Sequence, residues 1–234
     1  MRYPFPDFVT NPAHLMIPDV IRRFAERNTT GAKPTAREVL FAQQGEMRLS
    51  DDGRWLPFTA EQRVMIHRTE FCWHARVKMA PLVTAVVEDA FEKGHGRLDA
   101  KVWGVLPVAH ARGPELDRGE VQRYLAELPW CPMAILHNDE LRFGEAEHGD
   151  VRVLHGDDPD AWIDLRFDEA GDVIGTYTTT REREGVARPW EGIFADYQTL
   201  GGVRIPTRGE VKWHLPEGEH TYFRGRVVEL EQHE

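Results

Sequence analysis

The sequence predicts a mainly β protein with a few helices, and three observations carry that reading. Apolar and polar residues alternate along residues 70–78 and 161–168, the period-two signature of half-buried strands. Turn signals such as SDDG (50–53), KGHG (93–96), EAG (169–171) and PEG (216–218) separate these runs at strand-length spacing. Residues 119–136, GEVQRYLAELPWCPMAIL, repeat instead at three and four residues, with Val121, Tyr124, Leu125 and Leu128 on one helical stripe. An antiparallel meander of this length must curl or close to bury its apolar face.

Residues 1–18 carry Pro4, Pro6, Pro12 and Pro18, which exclude regular structure and leave Tyr3, Phe5 and Phe8 as anchors of a strap. A helix follows, with Asp19 as N-cap, running through Val20, Ile21 and Phe24 to about Arg27. Residues 38–49 suit a strand. Thr59-Ala60-Glu61-Gln62 has the order of a capping box and predicts a short helix from Thr59. In residues 70–78, Phe71, Trp73, Ala75 and Val77 take one face, and Cys72, His74 and Arg76 the other. Residues 83–90 and 96–106 read as the next strands. The central helix ends where Pro129 and Pro132 forbid helical geometry at Leu128 and Cys131, so Trp130 stands at a rigid corner, where it either fills the core or walls a pocket. Strands then follow at 141–147, 151–155, 161–168, 173–184, 190–199, 203–215 and 221–231. No linker interrupts the chain, so the expected organisation is one domain, residues 1–234. It comprises an N-terminal strap and helix (1–37) and a β-barrel-like body (38–234) with central helices at 119–136.

Composition narrows the function. With 41% hydrophobic and 29% charged residues the chain has the make-up of an ordinary globular protein. A formal net charge of −10 argues against a nucleic-acid backbone or an anionic membrane surface as the main partner. Cys72 and Cys131 are too few for a disulfide framework, and residues 1–18 contain no apolar signal core, so a reducing cytoplasm is the expected compartment. No stretch approaches the roughly 18 apolar residues of a membrane span, so no integral membrane segment is expected.

Four segments resemble an uncharacterised bacterial family of domains of unknown function: RWLPFTAEQ (54–62), ELDRGEVQRYLAELPWCPMAIL (115–136) with its RYLAE-x-x-W-x-P motif, PWEGIFADY (189–197) and GGVRIPTRGEVKWHL (201–215). The order of elements is also similar to the lipoprotein-carrier (LolA/LolB-like) half-barrel. That resemblance implies a curved, unclosed antiparallel β-barrel covered by a few helices, around an apolar cavity able to take a lipid or another hydrophobic small molecule. Fold alone does not fix function.

Aromatic residues supply the expected pocket lining: Trp73, Trp130, Tyr177, Trp190, Tyr197 and Trp213. In strand parity Trp73 goes with Phe71, Trp213 with Val211 and Tyr197 with Ile193 on inward faces. Arg181 shares the parity of Val173, Tyr177 and Thr179. It is therefore either a cation at the cavity rim, paired with Glu120, Glu127 or Asp196, or a solvated strand end beside Glu182, Arg183 and Glu184. No HExxH, nucleotide loop or serine elbow is present, the GHG of residues 94–96 reads as a turn, and Asp157, Asp158 and Asp160 lack a calcium-loop spacing. No metal and no cofactor are expected. Two readings stand: binding of a hydrophobic or lipid-like small molecule in the concave cavity, or a cofactor-independent lyase, isomerase or cyclase. The enzyme would use Glu120, Glu127, Tyr124 or Asp196 as acid and base in the same cavity. A purely structural interaction module would instead show a filled core and an exposed apolar patch.

Overall fold

The structure is a computed structural model and describes residues 16–156 and 158–234, so residues 1–15 of the expected strap, with its anchors Tyr3, Phe5 and Phe8, and Asp157 lie outside the described residues. Helix α1 is Asp19–Asn28, with Ile21, Phe24, Ala25 and Asn28 buried at the i, i+3, i+4, i+7 spacing of a single stripe. Its cap differs from expectation: Pro18 holds the N-cap position, and Asp19 lies in the first turn, where its carboxylate takes Arg22 at 2.5 Å.

Six strands follow: β1 (Glu38–Met47), β2 (Leu56–Met65), β3 (Phe71–Ala80), β4 (Val83–Glu92), β5 (His95–Val102) and β6 (Leu106–Ala111). Next come helix α2 (Pro114–Ala126), a 3-10 turn (Leu128–Trp130) and helix α3 (Pro132–His137). Strands β7 (Leu141–Glu145), β8 (Val151–His155), β9 (Trp162–Phe167) and β10 (Val173–Thr178) precede a hairpin of β11 (Glu182–Arg183) and β12 (Val186–Ala187). The chain closes with β13 (Trp190–Leu200), β14 (Val203–Leu215) and β15 (Gly218–His233).

Thirteen strands form one antiparallel sheet in the order β6-β5-β4-β3-β2-β1-β15-β14-β13-β10-β9-β8-β7. It is curved and unclosed. First and last body strands meet at its centre, Glu38 opposite His233, and the edges β6 and β7 do not pair. This topology explains the helices: a chain leaving one edge at Ala111 must reach the other at Leu141, and the route across the inner face is α2, the 3-10 turn and α3. Helix α2 accordingly packs on β4 and β5 from one half and on β8 and β9 from the other.

Three expectations fail, each for a nonlocal reason. Residues 59–62 are strand, because Leu56, Phe58, Ala60, Gln62 and Val64 alternate inward and β2 is laddered to β1 and β3 on both sides. One capping box, worth about 1 kcal/mol, cannot compete with two ladders. Residues 96–106 break at Trp103 into β5 and β6. Residues 173–184 end as a sheet strand at Thr178, and Glu182 belongs to the separate two-stranded hairpin.

Parity also shifts twice. A bulge between Val173 and Gly175 puts Thr176 and Thr178 inside and turns Tyr177 to the outer face, where it meets Arg166 and His214. In β13, Asp196 has φ 60, so Trp190, Gly192 and Phe194 point inward before it and Tyr197 after it, while Ile193 is 39% exposed.

Candidate functional site

Helix α2 starts cleanly, with Pro114 in the first turn and Glu115 and Asp117 near its positive end. Gly96 lets it lie directly on β5, since a Cβ there would meet Leu116 O at 3.1 Å and Glu120 Cγ at 3.2 Å. Because the helix crosses the interior, Glu120, Gln122 and Tyr124 are buried along with Val121, Leu125 and Ala126. Polar side chains in such a place need partners. Gln122 donates to Asp160 O at 3.0 Å and Thr180 Oγ1 at 2.9 Å. Tyr124 donates to Met65 O at 2.9 Å and accepts from Asn138 Nδ2 at 3.0 Å.

Arg123 is the hub of the remaining polar groups. Its Nε donates to Glu127 Oε1 at 2.9 Å and its Nη1 to Asp89 Oδ2, and the guanidinium lies over the rings of Phe71 and Trp73 at 4.8 and 5.2 Å. From Glu127 the chain of hydrogen bonds continues across three strands. Gln62 Nε2 donates to Glu127 Oε2, Gln43 Nε2 donates to Gln62 Oε1 at 3.1 Å, and Trp73 Nε1 donates to Gln43 Oε1 at 2.9 Å. Gln62, Trp73 and Asp89 are direct cross-strand neighbours.

Glu120 is 4% exposed, and its Oε2 has no hydrogen-bond partner. Burial, followed by the negative charge of Asp89, pushes its carboxyl up to about 8, with Arg181 and Arg123 opposing. Near neutral pH this acid therefore keeps its proton. It can donate a hydrogen bond or a proton to a group brought beside it, as a carboxylate could not. Arg181 closes the far side: it donates to Gly119 O, and its guanidinium lies 4.8 Å from the centre of the Trp190 ring. Trp190 Nε1 in turn donates to Tyr222 Oη at 3.0 Å, and Tyr222 stacks on Trp213.

The structure thus brings Glu120, Glu127, Trp73, Arg181 and Trp190 to one buried polar seam, with Trp213 reached through Tyr222. It does not bring the others there. Tyr124 ties α2 to β2 and α3. Asp196 pairs with Arg226 at 3.2 Å and Arg208 at 3.4 Å. Trp130 packs between Phe41 and Phe194 and donates to Pro206 O at 2.8 Å. Tyr197 donates to Val173 O at 2.8 Å beside Phe24, and Tyr177 is on the outer face. Arg181 forms no ion pair with Glu120, Glu127 or Asp196 among the described residues, and the buried carboxylate pairing is made by Arg123 instead. Truncating Arg181 to Ala is accordingly expected to cost about 1 kcal/mol, read from urea midpoints, through the lost carbonyl and ring contacts. A loss of several kcal/mol would show that it carries a buried ion pair after all.

Reading the sequence missed Arg123, Asp89, Gln43, Gln62 and Tyr222. Two of these left a signal, since Gln43 and Gln62 stand in the apolar phase of their strands.

A separate cavity of about 240 Å³ lies between the segment after α1, the end of β2 and α3. Ala32, Pro34, Ala36, Ile66 and Met133 give it apolar walls, and Lys33, His67 and His137 a polar side. None of the aromatic residues expected to line a pocket borders it. No group of three or more His, Cys, Asp or Glu among the described residues could hold a metal ion, and no described helix is long and apolar enough to cross a membrane.

These features define an open antiparallel half-barrel whose inner face is roofed by helices and crossed by a buried polar seam. The chain belongs to the family of unknown function DUF6920, which matches residues 16–231. Three solved structures are similar to it. A putative outer membrane lipoprotein-sorting protein domain from Vibrio parahaemolyticus is 10% identical, covering 91% of this chain and 90% of that one, with a TM-score of 0.49. A LolA superfamily protein from Nitrosomonas europaea is 10% identical over 92% and 94%, with a TM-score of 0.47. A DUF1329 family protein from Desulfovibrio piger is 11% identical over 92% and 90%, with a TM-score of 0.49. No curated protein matches the chain.

Proposed function

We infer that the protein binds a hydrophobic or lipid-like small molecule in the cavity beside α1 and α3. The observation that carries this reading is the cavity of about 240 Å³ between the segment after α1, the loop after β2 and α3, with Ala32, Pro34, Ala36, Ile66 and Met133 as its apolar walls. It is just below the roughly 300 Å³ at which drug-sized pockets begin, which suits a slender aliphatic chain better than a polycycle. Lys33, His67 and His137 on its polar side suit a ligand with an acceptor-rich or anionic end. Native mass spectrometry of the purified protein, followed by titration with a panel of fatty acids, tests the reading. A bound apolar compound is expected, and Ala32→Trp, which fills the cavity from a half-buried wall position, is expected to weaken binding by about tenfold or more while the fold persists. If nothing copurifies and no member of the panel binds, the reading is wrong.

Glu120 favours a second reading, a cofactor-independent lyase, isomerase or cyclase in which a protonated buried carboxyl acts as general acid. The two readings separate in Glu120→Gln: an enzyme loses turnover, whereas a binding protein keeps its affinity.

A further inference from the structure

We propose that the β3–β4 and β5–β6 hairpin tips form a docking surface for an anionic lipid bilayer. The two tips are neighbours at one end of the sheet: Trp103 N donates to Thr84 O at 2.9 Å, and Trp103 Nε1 to Leu82 O at 3.1 Å. They display large apolar side chains where turns ordinarily carry polar ones. Leu82 is 96% exposed, Val105 73%, Trp103 59% and Leu106 53%. Single exposed apolar residues need no explanation, but four on two linked tips form a patch.

The backbone makes the pattern more telling. Leu82 has φ 65 and Trp103 φ 52, the left-handed region normally left to Gly, Asn or Asp. A bulky side chain held in a disfavoured conformation and out in water is explained by an occupant that the conformation serves. Charge selects the occupant. Residues 78–87 and 100–109, which make the two tips and the strand ends beside them, contain Lys78 and Lys101 and no Asp or Glu, and Arg54 reaches the β3 end of the patch by donating to Met79 O; Arg112, just past the end of β6, is paired with Asp99 at 2.7 Å. The chain as a whole carries −10, yet fields at a membrane surface are felt over a Debye length of about 8–10 Å, so the local cations govern contact. A Trp flanked by aliphatic residues, with Lys78, Lys101 and Arg54 beside the tips, matches the interfacial zone, where an indole sits at headgroup depth, aliphatic side chains reach the acyl boundary and cations meet lipid phosphates.

Co-sedimentation with vesicles of equimolar phosphatidylcholine and phosphatidylglycerol tests the proposal, with pure phosphatidylcholine vesicles as reference. The native protein is expected to pellet with the anionic vesicles, to be released by salt, and to bind the reference vesicles more weakly. The double variant Leu82→Asn, Trp103→Asn is expected to lose about tenfold or more of that partitioning. Asn tolerates positive φ, so its melting temperature should not collapse, which separates lost docking from lost folding. Docking is overturned if the native protein stays in the supernatant with anionic vesicles, or if the double variant pellets equally well. It is also overturned if light scattering shows a dimer that the same variant dissolves while neither form binds vesicles, since the tips then face a second copy.

Discussion

Arg123→Met is expected to lower the unfolding free energy by about 3–5 kcal/mol, the usual cost of removing one partner from a buried ion pair. The side chain is only 17% exposed, and its two carboxylate partners, Asp89 and Glu127, are 14% and 15% exposed. Burial by itself disfavours the guanidinium charge, but Glu127 and Asp89 more than offset it, so the cation is held more firmly than in water. Without it, Asp89 and Glu127 lose the cation that binds them both inside the sheet. Glu127 would also lose one of its two partners, leaving the Gln62–Gln43–Trp73 chain anchored to an unstable end. Urea denaturation measures the loss. Arg123→Lys should fall between native and Met, because an ammonium supplies charge without the planar fork that reaches both carboxylates. Replacing Arg123, Asp89 and Glu127 together by apolar residues should recover much of the loss, as buried ionic groups often swap for hydrophobic ones at little net cost. A single-variant effect within about 0.5 kcal/mol of zero would mean that water already reaches the seam.

How far this arrangement could be read from residues alone follows from which parts are local. The alternation of Phe71, Trp73, Ala75 and Val77 was legible because β3 is regular and flanked on both sides, so parity and burial coincide. The same rule misplaced Tyr177 and Ile193. One bulge in β10 and one left-handed residue in β13 reverse the count, and neither announces itself in composition. The helical stripe of Val121, Tyr124, Leu125 and Leu128 is indeed buried, but treating it as the only buried face hid Arg123. A helix that bridges two sheet edges across a concave interior is enclosed on more than one side, and that follows from strand order rather than from helical periodicity. Asp89 required the register that sets it opposite Trp73. Glu120 stood out as a candidate, whereas the pairing imagined for it with Arg181 gave way to a carbonyl and an indole ring.

Glu120→Gln is expected to stabilise the protein, increasingly so as pH rises. In the native state burial and then the Asp89 charge move this carboxyl from an ordinary 4.5 up to about 8. A raised carboxyl pKa means that the folded chain binds a proton the unfolded chain has released. Its contribution is fully present below about pH 4.5 and is lost progressively up to about pH 8. Within that window each pH unit removes about 1.4 kcal/mol for one such group, reduced where the structure relaxes or water enters. Glutamine has the shape of the protonated acid and no proton to lose, so the variant should lack this slope. Urea midpoints measured at about pH 5 and about pH 8.5 should therefore nearly coincide for native and variant at the lower pH and diverge at the higher, by on the order of 2 kcal/mol in favour of Gln. Glu127→Gln serves as the opposite control, since it removes the charge that Arg123 binds and should destabilise at both values. Parallel pH curves for native protein and Glu120→Gln would show that the carboxyl titrates normally, and the case for a buried proton donor in the seam would fall with it.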